Sequence, residues 1–240
     1  MTVPLIDRPS PNFGPRNAAV SMIVLHYTGM ANRDAALARL TDAAAEVSAH
    51  YLIDEQGAAF RLVAEEQRAW HAGVAFWHGV RDVNSASIGI ELVNPGHEFG
   101  YVAFRAPQIE TLIDLMKEIG VRHRIASRDI VGHSDVAPGR KTDPGELFPW
   151  PQLARAGLGF WPGNMQATDR HDERTVTWML SRIGYAVPTS AELGADVVSG
   201  LGDAVGAFQR RYRPAKIDGV IDAETAALVA ALAHMAIPAA

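Results

Sequence analysis

The 240-residue chain contains no cysteine. That excludes a disulfide framework, a thiol nucleophile and any thiolate metal site, so a bound metal would have to be held by His, Asp or Glu. A Gly-x-Ser-x-Gly elbow is missing too, which leaves serine-type hydrolysis without a candidate. Positive charge is in deficit: 22 Lys and Arg face 27 Asp and Glu, a formal net charge of -5. A general nucleic-acid binder carries a basic surplus or patch, so none is expected as a partner. No apolar run is long enough to span a bilayer, and no integral membrane segment is expected. Met1 to Asn12 also lack a basic segment followed by an apolar core, the pattern of a secretory signal.

What is present is ordinary globular composition, 48% apolar and 20% charged, in two regimes. The first ends near Pro149-Trp150-Pro151 and the second begins near Asp169. Between them Gly157-Leu158-Gly159-Phe160-Trp161-Pro162-Gly163-Asn164 reads as a linker that partly packs on its neighbours. The division is 1–155, a linker over 156–172, and 173–240. In the first part, Met22 to Leu25, His50 to Asp54, Ala58 to Val63, Ser87 to Val93 and Asp129 to Gly132 read as strands, with a hairpin around Glu55-Gln56-Gly57. Helical patterns run from about Asp34 to Ala45 and from about Pro107 to a stop at Gly120. This mixture predicts an α/β fold with a mixed central β-sheet flanked by helices. The last part is helical throughout. Val176, Met179, Leu180 and Ile183 make one apolar face, Leu201, Val205, Phe208 and Tyr212 a second, and Leu228, Val229 and Leu232 a third after Asp222 as N-cap. A small C-terminal three-helix domain is the expectation.

Two of the nine histidines occupy equivalent places. His26 ends the apolar strand Met22 to Leu25, and His133 follows Asp129-Ile130-Val131-Gly132. Asp143 comes ten residues after His133, across a Pro- and Gly-containing loop. Two imidazoles and a carboxylate suit Zn²⁺, and three protein ligands leave a fourth position open, the catalytic arrangement. Taken singly, a histidine near a strand end is more often a packing or surface residue than a ligand, and Asp143 before Pro144 could be a turn residue.

Whole segments carry more. Ile23-Val24-Leu25-His26-Tyr27-Thr28, Ser48-Ala49-His50-Tyr51-Leu52-Ile53, Ala69-Trp70-His71-Ala72-Gly73, Ser87-Ile88-Gly89-Ile90-Glu91-Leu92 and Val131-Gly132-His133-Ser134-Asp135 occur in that order. Pro138-Gly139-Arg140-Lys141-Thr142-Asp143-Pro144-Gly145 and Phe148-Pro149-Trp150 follow. Over residues 18 to 151 the chain resembles the amidase-2 family of N-acetylmuramoyl-L-alanine amidases, which shares its fold with peptidoglycan recognition proteins and the T7 lysozyme type. The resemblance is greatest to the two-domain members of the AmiD type.

The resemblance implies zinc held by His26, His133 and Asp143. It implies Glu91 as the catalytic glutamate, moving a proton from water to the leaving amine, and Lys141 as the basic group beside the tetrahedral oxygen. His71, in the segment lining the cleft, is a candidate substrate contact or a hydrogen-bonded loop residue. Arg81 and Asn84 are candidate muropeptide contacts, and Trp77 could stack on sugar or cap the core. His50 reads as structural, and His78, His97, His123, His171 and His234 as surface. Tyr27 stands where close relatives of the family often have Asn.

Residues 173 to 235 resemble the peptidoglycan-binding domain 1 family, chiefly through Phe208-Gln209 and Asp218-Gly219. Phe208 itself fits a core role. Together the two resemblances imply hydrolysis of the lactyl–L-alanine amide bond of peptidoglycan or anhydro-muropeptides, in wall turnover or recycling. A phage-type endolysin of the same chemistry and a non-catalytic recognition protein are the alternatives. The expected partners are peptidoglycan or its fragments. The expected location is the cytoplasm, with the periplasm or release by host lysis as alternatives, and oligomeric state is left open.

Overall fold

Six consecutive residues, Met22–Tyr27 (β3), show how this sequence makes a sheet covered on both sides. Successive side chains of a strand point to opposite faces, so Ile23 and Leu25 enter one apolar core and Met22 and Val24 another. A strand buried on both faces reads as a continuous apolar run. The computed structural model describes residues 2–162, 172–187 and 200–236. Within it β3 lies inside a six-stranded sheet ordered β1 (Leu5–Asp7), β5 (Ala59–Arg61), β4 (Tyr51–Ile53), β7 (Ser87–Leu92), β3, β8 (Ile130–Gly132). Only the β4–β5 hairpin is antiparallel; the other neighbours run parallel. The short strands β2 (Phe13–Pro15) and β6 (Gln67–Ala69) form a separate antiparallel pair.

One face carries Ile23, Leu25, Ile88, Ile90 and Leu92 against Ile109, Leu112, Leu115, Met116 and Ile119 of the long helix Ala106–His123 (α4). Full burial of each such side chain contributes on the order of 1.5–3 kcal/mol. The helix does not stop at Gly120. It runs one more turn and ends at Arg124 in the left-handed conformation, φ 56°. The extra turn lets Arg122 and His123 reach Glu65, at 3.2 and 2.6 Å. Conversely, the first helix, Arg33–Thr41 (α1), is shorter than its pattern suggests. Asn32 caps its start, and Asp42 leaves the helical conformation to cap the tight turn Ala43–Ala45. Short helices Val83–Ala86 (α2), Gly96–Phe99 (α3), His133–Val136 (α5) and Trp150–Arg155 (α6) sit at strand ends and connections.

The opposite face carries Met22, Val24 and Val131 and is covered by three C-terminal helices: Glu173–Ile183 (α7), Leu201–Tyr212 (α8) and Ala223–Ala236 (α9). Gly184 ends α7, and Asp222 accepts the Thr225 amide at 2.9 Å to cap α9. Val176, Leu180, Val205, Phe208, Val229 and Leu232 share one continuous core with the sheet residues. Of the linker stretch, Leu158 is buried and Trp161 packs on Tyr212; its Gly163 and Asn164, like His171, lie outside the described residues.

Candidate metal centre

The carboxyl ends of parallel strands are where an α/β sheet leaves a crevice, and here they bring the chemistry-bearing residues together. Register places His26 directly beside Glu91. On β7 the residues Ser87, Gly89 and Glu91 alternate with Ile88, Ile90 and Leu92, which point into the α4 core. A two-residue period therefore sets a small polar row on the face that also bears His26. His133 follows the last residue of β8 and begins α5.

Three side-chain atoms converge there. Nδ1 of His26 and Nδ1 of His133 are 3.0 Å apart, and each is 3.0 Å from Oδ2 of Asp143. All three residues are buried. The hydrogen bonds behind them decide where the ring protons are. Nε2 of His133 donates to the Ala72 carbonyl at 3.0 Å, which can only accept. The Ser87 hydroxyl donates to the Val83 carbonyl, so it accepts from Nε2 of His71 at 3.2 Å. Nδ1 of His71 is then an acceptor, and the Nε2–H of His26 donates to it at 3.1 Å. In both neutral rings the Nδ1 lone pair faces inward. Two nitrogen lone pairs and a carboxylate oxygen turned on one another repel unless a cation sits between them. This is the donor chemistry of a metal site whose outer nitrogens are fixed by second-layer partners, and the trio could hold a metal ion.

Ionisation follows the same layout. Burial and the neighbouring His133 push His26 down to about 4, and burial with His26 nearby holds His71 well below the usual imidazole range. Burial would raise Asp143, but the adjoining imidazoles of His133 and His26 outweigh it and hold its carboxyl far below the usual range. Glu91 goes the other way. Burial, reinforced by Asp143 and opposed by Lys141, pushes it up to about 8. Its Oε2 is shut off from solvent and has no hydrogen-bond partner among the described residues.

A cleft of about 500 Å³ opens over these groups, with Glu91, Trp70, Lys141 and Arg39 on its walls. Its far rim is braced. The Tyr27 hydroxyl meets Nδ1 of His97 at 2.8 Å and Thr142 at 3.1 Å, so His97, at the surface as expected, is also hydrogen-bonded. Tyr101 donates to the Pro144 carbonyl at 2.6 Å, just after Asp143. Gly145 (φ 86°) passes so near that a Cβ would lie 2.3 Å from the Tyr101 oxygen, which ties that turn to glycine.

The other expected substrate contacts fall elsewhere. Trp77 is 2% exposed and its ring packs on Tyr185, leaving no face for a sugar. Asn84 is buried, and its Oδ1 accepts the amides of His71 and Ala72 at 3.1 and 2.8 Å. It shapes the cleft loop and has no carbonyl left for a ligand. Arg81 is exposed on the turn before α2 and is not among the residues lining the cleft. His71 borders the cleft with both nitrogens committed, one to His26 and one to Ser87. Sequence reasoning passes over Ser87 and Gly89, although the alternation Ser87-Gly89-Glu91 on a strand otherwise Ile and Leu is a readable signal. It has no signal for Arg39, which reaches the cleft from α1.

Comparison with known proteins places this geometry. The family model of N-acetylmuramoyl-L-alanine amidase matches residues 16–146. The chain is 37% identical over 237 residues to the N-acetylmuramoyl-L-alanine amidase AmiD of Escherichia coli (strain K12), covering 89% of this chain and 82% of that protein. It is 31% identical over 164 residues to the 1,6-anhydro-N-acetylmuramyl-L-alanine amidase AmpD of Salmonella typhimurium (strain SL1344), covering 60% of this chain and 86% of the relative. The solved complex of E. coli AmiD with the substrate anhydro-N-acetylmuramic acid-L-Ala-D-gamma-Glu-L-Lys superposes with a TM-score of 0.79 at 35% identity, over 92% of this chain and 91% of that one. The chain belongs to the amidase-2 family of N-acetylmuramoyl-L-alanine amidases.

Proposed function

We propose that this chain is a zinc-dependent amidase that hydrolyses the lactyl–L-alanine bond of anhydro-muropeptides and related peptidoglycan fragments in cell-wall recycling. The observation that carries the reading is the convergence of three inward-facing lone pairs, on His26, His133 and Asp143, beside a carboxyl with one sealed, unpartnered oxygen. Two imidazole nitrogens and one carboxylate match the ligand set of catalytic zinc. When bound, zinc supplies Lewis-acid activation of a water and of the scissile carbonyl.

The chain's own groups do the rest. Glu91 takes a proton from the attacking water and returns it to the L-alanine nitrogen as the amide bond breaks. Burial raises this carboxyl well above the ordinary carboxylate range, which makes it a better proton acceptor and a reservoir for the returned proton. Lys141, on the same cleft wall, sets an ammonium against the negative charge that builds on the carbonyl oxygen, an interaction strongest in the transition state. Trp70 and Arg39 on the walls offer an aromatic face and a carboxylate partner to sugar and stem peptide. The substrate in the E. coli AmiD complex, an anhydro-muramyl tripeptide, supports this class of ligand.

The test compares zinc-loaded chain on a 1,6-anhydro-muropeptide and on intact sacculi, reading by mass spectrometry the release of peptide with a free L-alanine amine. His133→Ala is expected to lose zinc and turnover together. Hydrolysis surviving in that variant would refute the assignment.

We also read residues 1–155 as the catalytic unit, 156–172 as a linker and 173–240 as a peptidoglycan-binding module, on the resemblance of the last part to the peptidoglycan-binding domain 1 family. The two segments that carry this likeness meet in space. Gln209 accepts the amides of Asp218 and Gly219 at 2.9 and 2.8 Å and donates to the Val220 carbonyl at 2.9 Å. Co-sedimentation of the inert Glu91→Gln chain with sacculi tests it, and no binding would refute it.

A further inference from the structure

Helix α8 sends one charge out of its own helical layer and into the support of the metal site. Arg211 is 4% exposed, and its guanidinium lies 3.8 Å from the centre of the Trp150 ring. Nη1 donates to Oδ2 of Asp135 at 2.8 Å and Nη2 to the carbonyl of Ile130 at 3.1 Å. The same Asp135 oxygen accepts the Gly132 amide at 2.8 Å, while Oδ1 accepts the hydroxyl of Tyr185, just past α7, at 2.6 Å. Residues 130, 132 and 135 are thereby tied to C-terminal helices on both sides of His133. Within the same turn the Ser134 amide donates to the Asp143 carbonyl at 2.8 Å, so the clamp extends to the second ligand.

Stability alone is a poor account of this arrangement. Taking a guanidinium and a carboxylate out of water offsets most of their attraction, and a well-packed apolar pair would serve a core as well or better. Arg211 also leaves its Nε buried without a partner among the described residues. What the network provides that apolar packing cannot is direction. It fixes backbone positions on either side of a ligand whose Nδ1 must meet two other atoms at 3.0 Å. We propose that Arg211 is a positioning residue for His133, acting through Asp135, so that the C-terminal helices hold the metal-ligating turn in register with β3. The proposal rests on the reading of His133 as a metal ligand.

The test uses the full chain with Arg211→Lys and Asp135→Asn, against Arg213→Gln as a control. Arg213, just beyond α8, is 5% exposed, but it pairs with the partly exposed Asp218, Asp222 and Glu224 and not with the β8–α5 turn. Zinc affinity is read by chelator competition, and ligand geometry by the visible spectrum of the cobalt(II)-loaded chain. Both test variants are expected to bind zinc about 10–100-fold more weakly, with an altered cobalt spectrum and a fall in kcat larger than any change in KM. The control should lower the unfolding midpoint with zinc affinity and spectrum unchanged. Folded Arg211→Lys or Asp135→Asn chains with the parent's affinity and spectrum would overturn the proposal. If the lysine variant fails to fold, the nearly isosteric Asp135→Asn decides alone. Failure of the unaltered chain to bind either metal would instead overturn the proposed function.

Discussion

Gly89→Ala tests the hydrogen-bond chain behind His26 with a single methyl group. Gly89 lies mid-strand in β7 with no left-handed backbone to strain, so the cost is purely steric. An added Cβ would sit 2.4 Å from Cγ of His71 and 2.7 Å from its Nδ1. Ordinary carbon contacts need about 3.5 Å, so the ring must retreat by about 1 Å. It is held between Ser87 Oγ at 3.2 Å and His26 Nε2 at 3.1 Å, both near the long end of useful geometry, and a shift of that size breaks at least one. Overpacking in a formed core costs about 1–3 kcal/mol, which is the expected loss in the metal-free chain. Losing the partner of a ligating imidazole weakens metal by about 10–100-fold, a further ~1.4–2.7 kcal/mol in the presence of zinc. Urea unfolding with and without zinc measures both parts. The cycle is completed by His71→Ala, in which the alanine at 89 should cost almost nothing, since the atoms it strikes are gone. An unchanged zinc affinity in Gly89→Ala, or the same cost in both backgrounds, would refute the reasoning.

Glu91→Gln should lower kcat by about 10²–10⁴ and leave zinc affinity intact, measured by steady-state kinetics beside chelator competition. Lys141→Met should lower kcat by about 10²–10³, the range for one oxyanion partner; an equal loss confined to KM would contradict a transition-state role for the ammonium. For stability against pH, His50 is the group to follow. It accepts the Gly89 amide at 3.0 Å and donates to the Gln67 carbonyl at 3.1 Å. Burial, with the charge of Arg16 beside it, pushes the ring down to about 3. The unfolded ring takes a proton near pH 6.5, so its share of stability is complete above that pH and falls as pH drops towards about 3, by at most ~1.4 kcal/mol per pH unit. His50→Gln should flatten the acid limb of the stability curve over that window, and an unaltered limb in urea titrations would refute the assignment.

The sheet is legible in the sequence because its central strands are buried on both faces. Met22 to Leu25 is apolar without a break and Ser87 to Val93 nearly so, and a strand covered on both sides is what such runs make. The trio of His26, His133 and Asp143, which could hold a metal ion, is picked out through family segments; spacing alone leaves His26 no better than His123, which pairs with Glu65. Helix ends depart from their local signals where a tertiary partner outweighs them, as at Gly120, where α4 continues so that Arg122 and His123 reach the same carboxylate. Trp77 and Asn84 look like cleft residues because they flank the cleft segments in sequence. Which way a loop side chain turns depends on what covers it, and Tyr185, which covers Trp77, lies more than a hundred residues away.

That distance points to how the site is built. A catalytic metal centre needs ligands held rigidly on one side and open space on the other. Along β3 the change happens within a few residues. Met22 and Val24 are sealed under α7–α9, and His26, two residues beyond Val24, faces the cleft. The two adjoining loops show the same division: 70–77 runs from Trp70 on the cleft wall to Trp77 under Tyr185, and 132–143 begins in the Asp135–Arg211 clamp and ends on the wall at Lys141 and Asp143. The C-terminal helices thus cover the closed side of the sheet, and α8 also reaches the rim of the cleft, where Arg210 lies 3.9 Å from Glu146. A cut near residue 160 that leaves every proposed ligand in place would still expose Val24, Trp77 and Val131 and strip Asp135 of its cation. The candidate metal site and the cover of the sheet form one packing problem, and the proposed ligand set by itself is half of its solution.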